Sequence, residues 1–458
     1  MEKEEIRQII EAQRNLFASG KTSDIKYRLE ILKKLRALII QHEQEIAAAL
    51  WKDFHKPEFE VISSETRFVI TEINHITHRL KSWTKPKRVK TPIVHFLSSS
   101  YILSQPYGQV LILSPWNYPF QLAFAPLVGA LAAGNCVILK ISRQVPETGE
   151  IMKRILSYLP KELVAMIDGD HSVSEYLLSQ KFDYIFFTGS PGVGKYVAQK
   201  AAEKLIPFSL ELGGKNPCVV ARDARLDFAA KRIAWGKLIN CGQTCVSPDY
   251  LLVDRLIKDQ FLELLVKEVR NFYGDNPETC DDFTRVISSE SVNRLNTLIK
   301  SGQIIIGGIV NTENKYVSPT IIKDIKADDP IMKEEIFGPI LPVIDFDELG
   351  EVYEIIEKNP KPLSAYIFTR DKKITREFLS RTQSGNVAVN DTVIQIASPY
   401  LPYGGLGSSG TGRYHGKSSF ETFSNKRSVI EKSNLFDLFL RYPPYSKFKT
   451  KVLRIVMR

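Results

Sequence analysis

Residues 109–115, Gln-Val-Leu-Ile-Leu-Ser-Pro, form a short apolar run closed by a turn residue. An apolar run without polar alternation is the pattern of a strand buried on both faces. Cys136-Val-Ile-Leu-Lys140 and Asp183-Tyr-Ile-Phe-Phe-Thr188 repeat it. Around them the sequence predicts helices over 126–133, 146–158, 172–180 and 192–205, with a short strand over 165–168. Apolar runs alternating with helices give a parallel sheet covered by helices. A second series follows, with strands at 217–221, 250–254, 304–307, 365–368 and 386–390 and helices at 227–238 and 256–272. Upstream, 1–50 reads as helical, with Leu29, Leu32, Leu35, Ile39 and Ile40 at helical spacing, and 60–83 as a second helix. Residues 91–108 read as a hairpin, and 398–416, with eight glycines or prolines, as loop. The fold class is α/β: two lobes with parallel sheets, plus a smaller β element.

A chain of 458 residues has room for two or three domains. With 25% charged and 43% apolar residues it is neither largely disordered nor membrane-embedded. The net charge is +10, and the tail 441–458 supplies six basic residues and no acid; without it the charge is +4. Such a tail reads as a solvated terminus, or as a weak peripheral contact with an anionic membrane through its basic, amphipathic end, 447–458. The acids are interspersed and no reader motif is present, so nucleic acid is not an expected partner. No run of 18 apolar residues exists and the charged first ten residues lack a secretory apolar core, so a cytoplasmic location is expected. The five cysteines are too few and unpaired in number for a disulfide framework, and no Cys/His ligand set predicts a metal site.

Five segments carry candidate chemistry. Phe187-Thr-Gly-Ser-Pro-Gly-Val-Gly-Lys195 joins a predicted strand to a predicted helix. Its glycines let backbone approach a phosphate, with the helix N-terminus supplying a favourable dipole. It is not GxGxxG. It fits GxxxxGK, the loop of nucleotide hydrolases, but Tyr196 stands where that loop needs Ser or Thr for magnesium. A nucleotide hydrolase is therefore the weaker alternative, and a plain tight turn the bland one. Glu211-Leu-Gly-Gly-Lys-Asn-Pro217 reads as a carboxylate at a turn between lobes, or as a surface acid beside a flexible joint. Asn240-Cys-Gly-Gln-Thr-Cys-Val-Ser-Pro248 sets Cys245 after a turn, a candidate nucleophile against the commoner buried, inert thiol. Pro115-Trp-Asn-Tyr-Pro119 follows the first buried strand, where ligands of open parallel sheets sit. Glu334-Glu-Ile-Phe-Gly-Pro339 is the fifth.

In this combination and order, across about residues 5–430, these motifs resemble the aldehyde dehydrogenase superfamily. The segments Gly404–Gly410 and Tyr414–Phe423 resemble its class 3 branch, which includes fatty-aldehyde enzymes. The resemblance implies a Rossmann-like cofactor lobe (1–85 and 106–210), a catalytic lobe (211–397) and an oligomerisation element (86–105 and 398–458) of a homodimer. It implies oxidation of a medium- or long-chain aliphatic or aromatic aldehyde to the acid, with NAD or NADP. Cys245 takes the nucleophile's place, forming a thiohemiacetal and then a thioester. Glu211 takes the general base's, ahead of Glu335, the second carboxylate that the class 3 resemblance also offers, and the Asn117 amide with the Cys245 N–H the oxyanion donors'. For the cofactor it implies Lys140 at the adenine ribose and Gly189, Ser190 and Gly194 near the pyrophosphate. Glu335 with Phe337 falls at the nicotinamide ribose, and Trp116 joins the set. Tyr400–Tyr403 and His415 fall at the aldehyde entrance. Of the other cysteines, Cys241 is the likeliest exception to a structural role, one helical turn from Cys245.

One departure bears on the cofactor. The family's Pro-Ser-Glu after the lysine is replaced by Ile141-Ser-Arg143. A carboxylate there would bind a ribose diol and repel a 2′-phosphate; a guanidinium suits the phosphate. The expectation is that NADP serves at least as well as NAD.

Overall fold

The computed structural model describes residues 2–435, 437 and 439–457. The three buried runs form adjacent parallel strands: Gln109–Leu113 lies between Cys136–Lys140 and Tyr184–Gly189, with Leu113 beside both Lys140 and Phe187. Val164–Met166 extends the sheet on one side, and Phe208–Leu212 with the antiparallel pair Gly410–Thr411 on the other, making six strands. Helices cover both faces. Gln121–Ala133 is buried all round, as a helix without a polar face must be, and ends at Gly134 in the left-handed region (φ 98°). It begins five residues before Pro126, where the sequence predicts its start; Pro126 instead sits inside the helix.

A second sheet has seven strands, in the order Gln303–Ile306, Thr320–Lys323, Ile340–Phe346, Tyr250–Asp254, Pro217–Val220, Ser364–Phe368 and Asn386–Val389. Only the first pair is antiparallel. A third, three-stranded sheet joins Lys87–Val89, Ser98–Pro106 and Ser424–Lys432, so the hairpin acquires a partner from near the C-terminus. Phe208–Leu212 carries the first sheet past residue 210, and Glu211 is a strand residue of that sheet rather than part of a turn between lobes. The turn is made by the glycines that follow. The helix Lys447–Val456 at the C-terminus buries none of its residues, and Arg458 of the basic end lies outside the described residues. Among the described residues no helix is long and apolar enough to cross a membrane.

The 109–119 segment is anchored from the N-terminal helices. Lys56 and Glu65, both fully buried, form an ion pair at 2.6 Å. Glu65 also accepts the Gln121 N–H at 2.8 Å, and the Lys56 ammonium lies 3.8 Å from the centre of the Tyr118 ring. A buried charge left without its partner costs about 3–5 kcal/mol. Lys56→Met is expected to lower the stability read from a urea midpoint by about that amount. Lys56→Met combined with Glu65→Gln is expected to recover most of the loss.

Candidate active site

Cys245 reaches its place through an unusual backbone. The helix Leu226–Leu238 gives way to Asn240 (φ 54°), Cys241 (φ 55°) and Gly242 (φ 69°), three successive residues in the left-handed region. Cys241 is therefore fully buried in a reversed turn, not one helical turn from Cys245. Only glycine fits at 242, where a Cβ would lie 2.3 Å from the Gly338 carbonyl oxygen. Non-glycine residues in this region cost roughly 1–3 kcal/mol each, and buried hydrogen bonds hold them there. Gln243 Nε2 donates to the Asn240 and Arg285 carbonyls, and Gln243 Oε1 accepts the Ile287 N–H at 2.9 Å. The Gln243 carbonyl accepts from Asn117 Nδ2 at 3.0 Å, and Asn240 Nδ2 donates to the Asn117 carbonyl at 2.8 Å. Asn117 is thus bonded to the turn two residues before Cys245.

Cys245 is partly exposed, whereas Cys136, Cys218 and Cys241 are buried. Burial pushes its thiol up to about 12, with the charges of Glu335 and Glu211 pushing the same way; a hydrogen bond from Tyr403 opposes them. The Tyr403 hydroxyl lies 3.6 Å from Cys245 Sγ. Glu211 is 3% exposed, and among the described residues neither carboxyl oxygen has a hydrogen-bond partner. Burial holds it well above the carboxylate range, opposed by the Arg413 charge. Glu335 is raised to about 8, again by burial first and then by Asp249. Its carboxyl lies against the Gly213 backbone: a Cβ there would sit 2.0 Å from Glu335 Oε2. The neighbouring Ile336 N–H donates to Asp249, which is paired with buried Lys215. Phe337, itself left-handed (φ 48°), meets Trp116 edge to face at 5.5 Å.

The remaining sequence-predicted residues line the C-terminal edge of the six-stranded sheet. Gly189 ends one strand, and Ser190 is the N-cap of the helix Pro191–Ala202, but its hydroxyl caps nothing. A Cβ on Gly194 would lie 2.6 Å from Leu212, so this glycine lets the helix pack closely on Glu211's strand. Lys140 ends another strand; burial lowers its ammonium pKa first, then the charge of Arg143. Arg143 is exposed and without an ion pair among the described residues. Sequence reading had not picked out Ser114 and Thr188. Their buried hydroxyls have no hydrogen-bond partner among the described residues, and both stand at strand ends along this edge. The signal available was position alone, one hydroxyl at the end of two of the three buried runs. Orphaned donors, an uncapped helix start and a glycine-lined turn fit the phosphates and riboses of a dinucleotide.

Comparison with known proteins bears on this arrangement. The family model described as "Aldehyde dehydrogenase family" matches residues 1–429. The chain belongs to the aldehyde dehydrogenase family. A 4,4'-diaponeurosporen-aldehyde dehydrogenase of Staphylococcus aureus is 42% identical over 437 residues, covering 94% of this chain and 95% of the relative. The "dimeric NADP-preferring" aldehyde dehydrogenase of Canis lupus familiaris is 40% identical over 443 residues, covering 96% and 98%. The solved structure of substrate-bound Staphylococcus aureus AldH superposes with a TM-score of 0.96 at 40% identity, over 99% of each chain. The protein is accordingly an oxidoreductase of the NAD(P)-linked aldehyde dehydrogenase kind, and nothing supports the nucleotide-hydrolase alternative.

Alkylation of the native protein is expected to reach Cys245 and Cys280 and to spare the three buried thiols. Because the thiolate is the reactive form, the Cys245 rate should climb about tenfold per pH unit below its pKa. Peptide mass spectrometry of iodoacetamide-treated protein checks both points; labelling of Cys241 at a similar rate would contradict the buried, reversed turn.

Proposed function

We propose that this aldehyde dehydrogenase oxidises an elongated aliphatic or aromatic aldehyde, with Cys245 as nucleophile and Glu211 as general base. The carrying observation is a partly exposed thiol that feels the charges of two carboxyls, half-buried Glu335 and buried Glu211, the latter without a hydrogen-bond partner among the described residues. Cys245 attacks the carbonyl carbon and the carbonyl electron pair moves to oxygen. Asn117 Nδ2 has two hydrogens, and the Gln243 carbonyl takes one. The second, with the Cys245 N–H, is free for the oxyanion. Loss of such a donor slows turnover about 10²–10³-fold. A bound nicotinamide nucleotide supplies the hydride acceptor. Glu211, as carboxylate, then takes a proton from the water that attacks the thioester.

The sign of the pH dependence follows from Glu211. Its raised pKa keeps it protonated at low pH, so the base form appears only as pH rises. Thioester hydrolysis should therefore speed up with pH. Glu211→Gln should form the acyl-enzyme and then stall, with steady-state turnover lower by about 10²–10⁴. Mass spectrometry should find the acyl group persisting on Cys245; unchanged turnover would remove Glu211 from this role.

For the cofactor, the reading places the pyrophosphate at Gly189, Ser190 and Gly194, the adenine ribose at Lys140, and the nicotinamide ribose at Glu335, Phe337 and Trp116. NADP is used at least as well as NAD, because exposed, unpaired Arg143 offers a donor fork to a 2′-phosphate. The canine relative's name, "dimeric NADP-preferring", supports this. Arg143→Glu should shift the ratio of kcat/KM values toward NAD by tenfold or more, roughly a charge-assisted hydrogen bond. An unchanged ratio would leave Arg143 in solvent.

A cleft of about 140 Å³ between Arg67, Phe68 and Glu72 on one side and Ile396 and Pro399 on the other ends on His415. His415 stacks on Tyr403, which touches Cys245. These mostly apolar walls suit a chain or ring behind the aldehyde group. The division into a cofactor lobe, a catalytic lobe and an oligomerisation element belongs to the same reading, with Phe208–Leu212 counted in the cofactor lobe as a strand of its sheet. The same name supports a homodimer. Val89, Ile93, Phe96, Leu97 and Ile430 are exposed on the three-stranded element, which suits that role. The free thiols suit a reducing cytoplasm. The exposed Phe448, Leu453 and Ile455 among basic residues of the last helix suit a weak anionic-membrane contact. Failure to pellet with anionic vesicles at low salt would exclude that contact.

A further inference from the structure

We propose that Tyr403 is a positioning residue for the nucleophile: its hydroxyl donates to the Cys245 sulfur, fixes the side chain's orientation and favours the thiolate before an aldehyde arrives. The proposal rests on the reading of Cys245 as nucleophile. Tyr403 is 6% exposed, and a phenol so buried needs a hydrogen-bond partner. Among the described residues the partner of Tyr403 Oη is Cys245 Sγ, at 3.6 Å. The ring has little freedom to turn away. It stacks on His415 at 5.0 Å with a 10° interplanar angle and meets Tyr414 edge-on at 5.6 Å. The Tyr403 N–H donates to the Tyr414 carbonyl at 3.0 Å, and the Tyr414 N–H donates back at 2.8 Å. Phenylalanine would fill the same space. The hydroxyl adds a buried polar group that the thiol satisfies.

The direction of the bond follows from acidity. A free thiol, at about 8.5, is a stronger acid than a phenol, at about 10. The proton that leaves the pair therefore leaves sulfur, and Oη keeps its own and donates it. A bond to a charged acceptor is worth more than one to a neutral acceptor, so the pair favours the thiolate. Once the C–S bond forms, sulfur is a weak acceptor and the hydroxyl is released. The bond thus belongs to the resting site. It increases the thiolate fraction and slightly lowers the reactivity of each thiolate, since nucleophilicity falls with pKa with a coefficient of about 0.4–0.5.

The test is alkylation of Cys245 by iodoacetamide in the full-length, nucleotide-free protein, across the neutral and alkaline range, in wild type and Tyr403→Phe. The variant should be displaced to higher pH by about one to two units. At each pH below the midpoint it should react roughly three- to tenfold more slowly. Partly exposed Cys280 is the internal reference and should react equally in both proteins. A general packing defect would alter both cysteines or leave the Cys245 profile in place, and either result overturns the proposal, as do superimposed profiles. Cys245→Ser separates the two levels. If that variant still turns over aldehyde, the nucleophile assignment fails and Tyr403 with it. If it is inactive while Tyr403→Phe labels like wild type, only the Tyr403 proposal fails.

Discussion

Cys245 and Glu211 belong to different sheets' segments, and the site exists only because one buried amide, Gln243, holds the chain in a conformation it would otherwise leave. Its side chain and carbonyl together bond Asn240, Arg285, Ile287 and Asn117. Asn240 and Cys241 would relax from the left-handed region without those bonds, since each carries a Cβ penalty there. The reversed turn aims the following residues across to the C-terminal edge of the six-stranded sheet. Because the Gln243 backbone carbonyl also accepts from Asn117, the distance between the thiol segment and the Pro115–Pro119 loop is set by hydrogen bonds rather than by loose packing. Lys56 and Glu65 fix the other end of that loop through Tyr118 and Gln121.

A second constraint is electrostatic. The site gathers two carboxyls that would be anionic if exposed, Glu211 and Glu335, with a thiol that must become anionic to react, Cys245, where burial disfavours every charge. The charges of Glu335 and Glu211 each push the Cys245 thiol further up, so an ionised carboxyl makes the thiolate harder to form. Lys215 and Lys237 are buried behind Glu335 and lower its pKa, though less than burial raises it. Such an arrangement suits a sequence in which one group is anionic at a time: thiolate for attack, then carboxylate for hydrolysis.

The sequence made the sheet legible because a strand buried on both faces has no polar alternation. Cys136–Lys140 and Tyr250–Asp254 fall where their apolar runs placed them. Phe208–Leu212 was missed as a strand because Glu211 interrupts its apolar pattern, and that interruption is the functional feature. Pro126 misled in the opposite direction. A proline is a good first-turn residue, yet a fully buried helix can carry one inside when tertiary packing outweighs the lost hydrogen bond. The site residues came from motif order, and their relation to one another did not. No periodicity announces a left-handed turn at Asn240 and Cys241, and an unpartnered hydroxyl at Ser114 or Thr188 is visible only once its neighbours are placed.

The glycine-rich segment after residue 400 shows why loop is an incomplete description. Tyr403 and Tyr414 close it as a bridge, and its tip returns as Gly410–Thr411 to pair with Leu210 and Glu211. The segment is irregular because its glycines lie where side chains would collide: a Cβ on Gly404 would come within 3.0 Å of Glu211 Oε1, and one on Gly410 within 2.1 Å of the Leu210 carbonyl oxygen. One connection therefore touches the thiol through Tyr403 and the carboxyl through its backbone and the Arg413 charge. A shift of this segment would move the partners of both groups at once. The composition that reads as flexibility in sequence thus serves, in the folded chain, to bring backbone close enough to couple two acids that lie 34 positions apart.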